Sequence, residues 1–217
     1  ETRTVQQSHV TEGRISMNKN IKKAFGKGKA FIPFITCGDP SLEVTERIVY
    51  AMEEAGADLI ELGIPFSDPT AEGPVIQAAN VRALSGGVTT DKIFDMVRRI
   101  RQKTSIPMVF MTYANVVYSY GTERFAKAAA EIGMDGLILP DVPFEEKEEF
   151  AIPFKEHGLD LISLIAPTSH ERIAMIAKEA EGLGISEPKQ AEKMAAQSDG
   201  VIVGSAIVKL CEKYGAD

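Results

Sequence analysis

The stretch LIELGIPFSDPTAEGPVIQ, residues 59–77, decides the reading of this chain. An apolar run ends on an acid, Glu61, and breaks at once into a loop carrying Gly63, Pro65, Pro69, Gly73 and Pro74. Two further acids, Asp68 and Glu72, lie in that loop. A carboxylate on the last turn of a buried strand is costly unless it is solvated or has chemical work to do. Where such a strand belongs to a parallel barrel, its C-terminal end is where catalysis takes place.

Working outward, apolar strands alternate with amphipathic helices. Phe31–Thr36 reads as a strand. Ser41 then caps a helix with Val44, Ile48, Met52 and Ala55 on one face, closed by Gly56. Asp58–Gly63 is the second strand, followed by the long loop and a helix near Val75–Leu84. Thr90 caps a helix with Ile93, Val97 and Ile100 inward. Pro107–Thr112 is the third strand, with Asn115 and Tyr118–Tyr120 in the loop after it. Thr122 caps a helix bearing Phe125, Ala129 and Ile132. Asp135–Leu139 and Leu159–Ile165 are further strands, separated by a helix near Glu145–Glu156.

Continuously apolar strands alternating with helices predict a parallel sheet covered on both faces. The phrases GADLIELG (56–63), GMDGLILPD (133–141) and SDGVIVGS (198–205) repeat one pattern: a helix end, a turn and a buried strand. Such quasi-repeated units, without a GxGxxG after the first strand, favour an α/β TIM (β/α)8 barrel over a doubly wound sheet.

The alternation fails near 182–184. Ser169 caps a helix to about Ala180, and Ser186-Glu187-Pro188 starts another to about Ala196. Only Glu181-Gly182-Leu183-Gly184-Ile185 lies between them, too short for a βα unit. Strands 6 and 7 and their connecting loop are therefore expected to be missing, on the order of 40 residues at the usual unit size. Residues 1–16 are polar and aperiodic and read as a flexible tail. Residues 17–217 read as a single barrel domain.

Composition narrows the function. A net charge of −7 without a basic run argues against nucleic acid. A small anion can still bind through backbone amides. Cys37 and Cys211, with His9, His157 and His170, show no disulfide framework and no metal-ligand spacing. No apolar run reaches membrane length and no signal peptide opens the chain, so a cytoplasmic location is expected.

Four groups of residues could carry chemistry. An apolar wall around Glu61 would raise its pKa toward neutrality, as general acid–base work requires. Glu72 or Asp68 could face the same substrate from the loop, although loop acids are usually solvated. Gly204-Ser205 opens a helix after the last strand, where free amides bind phosphate, and Gly184 could add a second set of amides or serve a plain N-cap. Phe34, Met111 and Tyr113 lie near strand ends, as core or as the lining of a flat aromatic pocket.

The motifs PFITCGDP (33–40), IELGIPFSDPTAEGP (60–74), MTYANVVYSYG (111–121), LPDVPFEE (139–146), ISLIAPTS (162–169) and DGVIVGSAIVK (199–209) resemble, in order, the tryptophan synthase alpha subunit family. The resemblance runs from about residue 18 to the C-terminus. It implies a TIM barrel that cleaves indole-3-glycerol phosphate to indole and glyceraldehyde 3-phosphate. Glu61 falls on the family's principal acid–base position. Glu72 falls where the family has the aspartate of ADGP, so the charge is kept and the reach is one methylene longer. The shorter acid is thus expected to serve at least as well.

Phe34, Met111 and Tyr113 match positions that sandwich the indole, and Gly184, Gly204 and Ser205 match phosphate-binding positions. The family needs no cofactor in this subunit. It implies a beta subunit that uses pyridoxal phosphate, in an alpha2beta2 assembly, with Asp68 and Asn115 in the region facing it. The family's GVTG loop has no counterpart here. Either the protein carries those residues and this sequence closes over them, or the chain is a truncated, non-catalytic relative that binds only partner or ligand. Another phosphate-binding barrel of the same pathway is disfavoured by IELGIPFSDP and by the lack of a strand-end lysine.

Overall fold

The computed structural model describes residues 18–26, 28–143, 146–162, 184–185 and 200–214. In chain order the elements are α1 (Lys19–Ala24), β1 (Ala30–Thr36), α2 (Leu42–Glu54), β2 (Ile60–Gly63), α3 (Pro74–Ser85), α4 (Thr90–Arg101), β3 (Met108–Met111), α5 (Ala114–Tyr120), α6 (Thr122–Glu131), β4 (Gly136–Ile138), α7 (Glu148–Glu156), β5 (Asp160–Ile162), β6 (Gly184–Ile185), β7 (Gly200–Val203) and α8 (Ser205–Tyr214). The strands form one sheet in the order β5-β4-β3-β2-β1-β7-β6, with every pairing parallel.

Pairing of the last described strand with the first is the closure expected of a (β/α)8 barrel. Among the described residues the sheet's edges are β5 and β6, so one barrel position, between them, holds no described strand. The expectation for strands 6 and 7 is refined in one respect: Gly184–Ile185 pairs with Ile202 and Val203 as a short remnant at the seventh position. In the sequence those two residues looked like a helix-capping turn, because two residues carry no period. The helices expected after Ser169 and Ser186 lie outside the described residues.

Alternate residues face inside and outside the sheet. Ile35, Ile60, Leu62, Met108, Phe110 and Leu137 pack outward against buried faces of the helices. Ala30, Ile32, Leu59, Val109 and Ile138 point inward, and α1 closes their end with Ile21 and Ala24. That helix was not expected; it is only six residues long, and Asn18 caps it by accepting from Asn20 N. Buried apolar area of this kind stabilises by roughly 25 cal/mol per Å².

Several local expectations shift. In α2, Ser41 caps as expected by accepting from Val44 N, but the buried face is Thr45, Val49 and Met52. Thr45 is tolerated there because its hydroxyl donates to Ser41 O and accepts from Gly38 N, both at 2.9 Å. The cap of α4 is Thr89 and not Thr90. Thr122 is the first residue of α6, whose cap position is Gly121. The stretch after β3 is the helix α5, so Asn115 and Tyr118 are helical and not in a loop. No described helix is long and apolar enough to cross a membrane.

Candidate functional site

Parallel register sets the C-terminal rim of the strands at one level. Phe34 lies opposite Glu61, and Glu61 opposite Val109. Glu61 is thus an inward-facing acid between two apolar neighbours. It is 4% exposed and has no hydrogen-bond partner among the described residues. Burial alone pushes its pKa up to about 8, so the side chain is mostly a neutral acid at neutral pH. The apolar wall expected from sequence is present.

The Phe34 ring lies across the barrel mouth because the neighbouring strands leave room for it. A Cβ on Gly63 would sit 2.6 Å from Phe34 Cζ, and one on Gly204 would sit 3.5 Å from Phe34 Cδ1. Gly63 therefore has no tolerable substitute unless Phe34 moves. Phe34 packs with Ala79 and Val208, and the half-buried Val75, Ile76 and Met111 border the same cluster.

Glu72 approaches from the β2–α3 loop. Tyr113, at the start of α5, donates its hydroxyl to Glu72 Oε2. The Tyr113 hydroxyl oxygen in turn accepts from Thr70 N at 2.9 Å and Ala71 N at 2.8 Å. Gln77 Nε2 donates to Glu72 O at 2.8 Å and ties the other side of the loop. The Glu72 carboxyl is held above its ordinary pKa by burial and by nearby Asp141, against the lowering effect of the Tyr113 hydrogen bond.

Gly204 and Ser205 lie at the β7–α8 junction. Gly204 O accepts from Ile207 N at 2.9 Å and Val208 N at 3.1 Å, the first turn of α8. The amides of Ser205 and Ala206 precede those bonds, as the opening amides of a helix do. Gly184 pairs with Ile202 one residue short of the level of Val203, so both glycines lie toward the rim that carries Glu61.

The structure brings Glu61, Phe34, Met111 and Gly204 to one mouth, and Glu72 to Tyr113. It keeps Asp68 out of this group. Asp68 is exposed and accepts from Ser67 Oγ at 2.5 Å. Asn115 is exposed on α5, accepts from Ser119 Oγ at 3.3 Å, and lines a surface concavity with Phe66, Val116 and Tyr120.

Sequence reasoning missed Asp141. Its two carboxylate oxygens accept from Ala114 N at 3.0 and 3.1 Å, capping α5 from 27 residues away. Only the acid in LPDVP at a strand end hinted at it. Among the described residues no group of three or more His, Cys, Asp and Glu side chains could hold a metal ion.

The sequence profile of the tryptophan synthase alpha chain family matches residues 20–183 and 179–217. The chain belongs to the tryptophan synthase alpha chain family. The two matched segments meet where the alternation of strands and helices fails. The chain is 41% identical to the tryptophan synthase alpha chain of Lacticaseibacillus casei over 232 residues, covering 89% of this chain and 87% of that one. It is 44% identical to that of Halalkalibacterium halodurans, covering 85% of each. The alpha chain from Legionella pneumophila subsp. pneumophila superposes with a TM-score of 0.79 at 34% identity, over 93% of this chain and 90% of that chain. The tryptophan synthase complex from Pyrococcus furiosus contains a chain matching at a TM-score of 0.78 and 29% identity, over 88% and 93%. The fold is accordingly a TIM barrel, and the family is one of lyases in tryptophan biosynthesis.

Proposed function

We propose that this alpha chain cleaves indole-3-glycerol phosphate to indole and glyceraldehyde 3-phosphate, a retro-aldol reaction with Glu61 as acid and base. The observation that carries the reading is the state of Glu61: a neutral acid with no partner among the described residues, between Phe34 and Val109. Glu61 gives its proton to the ring carbon that bears the glycerol chain, leaving a cationic ring. Its carboxylate then takes the proton of the adjacent chain hydroxyl. The bond between ring and chain breaks, its electrons return to the ring as indole, and the hydroxyl carbon becomes the aldehyde. Glu61 ends protonated, so the cycle closes.

Glu72 stabilises the cationic ring by accepting from the indole N–H. Phe34 and Met111 supply apolar walls for the ring. Gly184, Gly204 and Ser205 take the phosphate through backbone amides, which suits an anionic substrate on a chain of net charge −7. The reaction needs no cofactor in this subunit.

Solved relatives include the Pyrococcus furiosus complex, and one is described as an a2b2 assembly with mutual activation. By that likeness the partner here is a beta subunit carrying pyridoxal phosphate, reached through the rim near Asp68 and Asn115. The chain's location is the cytoplasm.

The assay is direct. The full chain should release indole and glyceraldehyde 3-phosphate in equal amounts from indole-3-glycerol phosphate. A second reading, a chain that binds without turning over, is favoured by the two-segment family match around residue 183. Saturable binding of indole-3-glycerol phosphate with no product would select it and reject the lyase.

A further inference from the structure

We infer that Tyr113 is a positioning residue that fixes which oxygen of Glu72 faces the substrate, and is not a plate of the indole pocket. The inference rests on the lyase reading and names a further residue for it. A tyrosine hydroxyl has one proton to donate and two lone pairs to fill. Here both lone pairs are taken by Thr70 N and Ala71 N, at 2.9 and 2.8 Å. Those neighbours can only donate, so the hydroxyl proton has one destination, Glu72 Oε2.

The contact therefore has a fixed direction. With Oε2 engaged by Tyr113, Oε1 has no protein donor among the described residues and is the oxygen offered to a substrate N–H. The ring is held as firmly as the hydroxyl. Tyr113 is 3% exposed, and its ring packs on Phe66 with centroids 5.2 Å apart and planes 33° from parallel. Behind it, Asp141 accepts from Ala114 N, fixing the turn that carries Tyr113. Ring and hydroxyl are thus both engaged, the ring by Phe66 and the hydroxyl by the loop that carries Glu72.

The arrangement also meets a problem the sequence poses. Glu72 has one more rotatable bond than an aspartate at its position would, and an unrestrained carboxylate would sample several places. Tying Oε2 to a buried hydroxyl removes that freedom. The Tyr113 phenol is correspondingly held above its ordinary pKa by burial and by the adjoining Glu72 carboxylate.

The test uses the full chain with Tyr113→Phe, Glu72→Ala and the double variant, assayed on indole-3-glycerol phosphate. Tyr113→Phe keeps the ring and its packing on Phe66. It should lower kcat by about 10- to 100-fold with KM changed by less than about threefold, the signature of a misplaced group. In the Glu72→Ala background the same change should cost less than about threefold, because residues acting as one unit are not additive. A Tyr113→Phe enzyme with unchanged kcat overturns the inference, as does an equal loss in both backgrounds.

If the wild-type chain makes no indole, the lyase reading fails by itself, and a second measurement decides the positioning claim. With ζ-¹³C tyrosine, the Tyr113 signal, assigned by its loss in Tyr113→Phe, should titrate above free tyrosine and move down in Glu72→Gln. An unmoved midpoint overturns the inference.

Discussion

Glu61 and Asp135 are both nearly inaccessible, at 4% and 2% exposure; Asp135 lies just before β4 on the side closed by α1, and Glu61 lies within β2, two residues before its C-terminal end. Asp135 precedes β4. It accepts from Asn20 Nδ2 at 2.8 Å, Met108 N at 2.9 Å and Arg101 Nη2 at 3.0 Å. Arg101 in turn donates to Gly133 O at 2.8 Å and to Ile106 O. One acid thus joins α1, α4, β3 and β4. Glu61 within β2 has no such partner among the described residues. Burying a carboxyl is tolerable in two ways: as an ion with its lone pairs filled, or as a neutral acid. Asp135 uses the first and gains stability. Glu61 uses the second and gains a proton to donate.

The largest effect should come from removing that proton. Glu61→Gln keeps the shape and cannot transfer a proton, and should lower indole formation by at least about 10³-fold while substrate binding persists, a loss in the upper half of the common range for an acid–base group. Retained turnover in steady-state assays would remove Glu61 from the mechanism. The same variant sharpens the contrast in a stability titration. Because the folded pKa of about 8 lies above the ordinary 4.5, the folded state binds the extra proton between those values. Wild-type stability attributable to Glu61 is therefore full below the ordinary value and is lost as pH rises toward 8, by about 1.4 kcal/mol per pH unit. Glu61→Gln should flatten that slope in denaturant titrations at several pH values.

Asp135 should behave in the opposite way. Asp135→Ala leaves the Arg101 guanidinium, the Asn20 amide and the Met108 N–H without their partner in a buried setting. Removing one member of such a cluster costs about 3 kcal/mol. Urea unfolding should show that loss, with kcat on indole-3-glycerol phosphate little changed for the fraction that stays folded. A large fall in kcat with stability intact would break the division between the two acids.

Much of this contrast was legible before the structure. An apolar run ending on Glu61 and breaking into a proline-rich loop announces a strand-end acid, because few other arrangements tolerate one there. The strands with continuous apolar character were legible for the same reason. What escaped was set by contacts far apart in sequence. The helix α5 has no side-chain cap of its own, and its start is held by Asp141, 27 residues on. The buried face of α2 is turned by one residue because Gly38 and Ser41 satisfy Thr45. Asp135 read as the first residue of a strand, and nothing local reveals that four elements converge on it. Tyr113 read as an aromatic plate, since its hydroxyl partners lie 41 to 43 residues away.

The smallest predicted effect concerns the length of Glu72, where the anchors of the loop argue for a different outcome from the one the family resemblance implies. The family resemblance implies that Glu72→Asp serves at least as well. The loop, however, is pinned by Thr70 N and Ala71 N on the Tyr113 hydroxyl, and by Glu72 O on Gln77. These anchors involve the backbone and survive the substitution. The shortened carboxylate would then fall short of Tyr113 by about one methylene, lose its fixed orientation, and meet the substrate from a changed position. A displacement of that size can cost up to ~10²-fold, and a flexible loop recovers part of it, so a fall of about tenfold in kcat is expected. It should be accompanied by little further loss on adding Tyr113→Phe. Activity equal to or above wild type would mean that the loop follows the shorter side chain, and that the β2–α3 loop is adjustable where the setting of Asp135 is not.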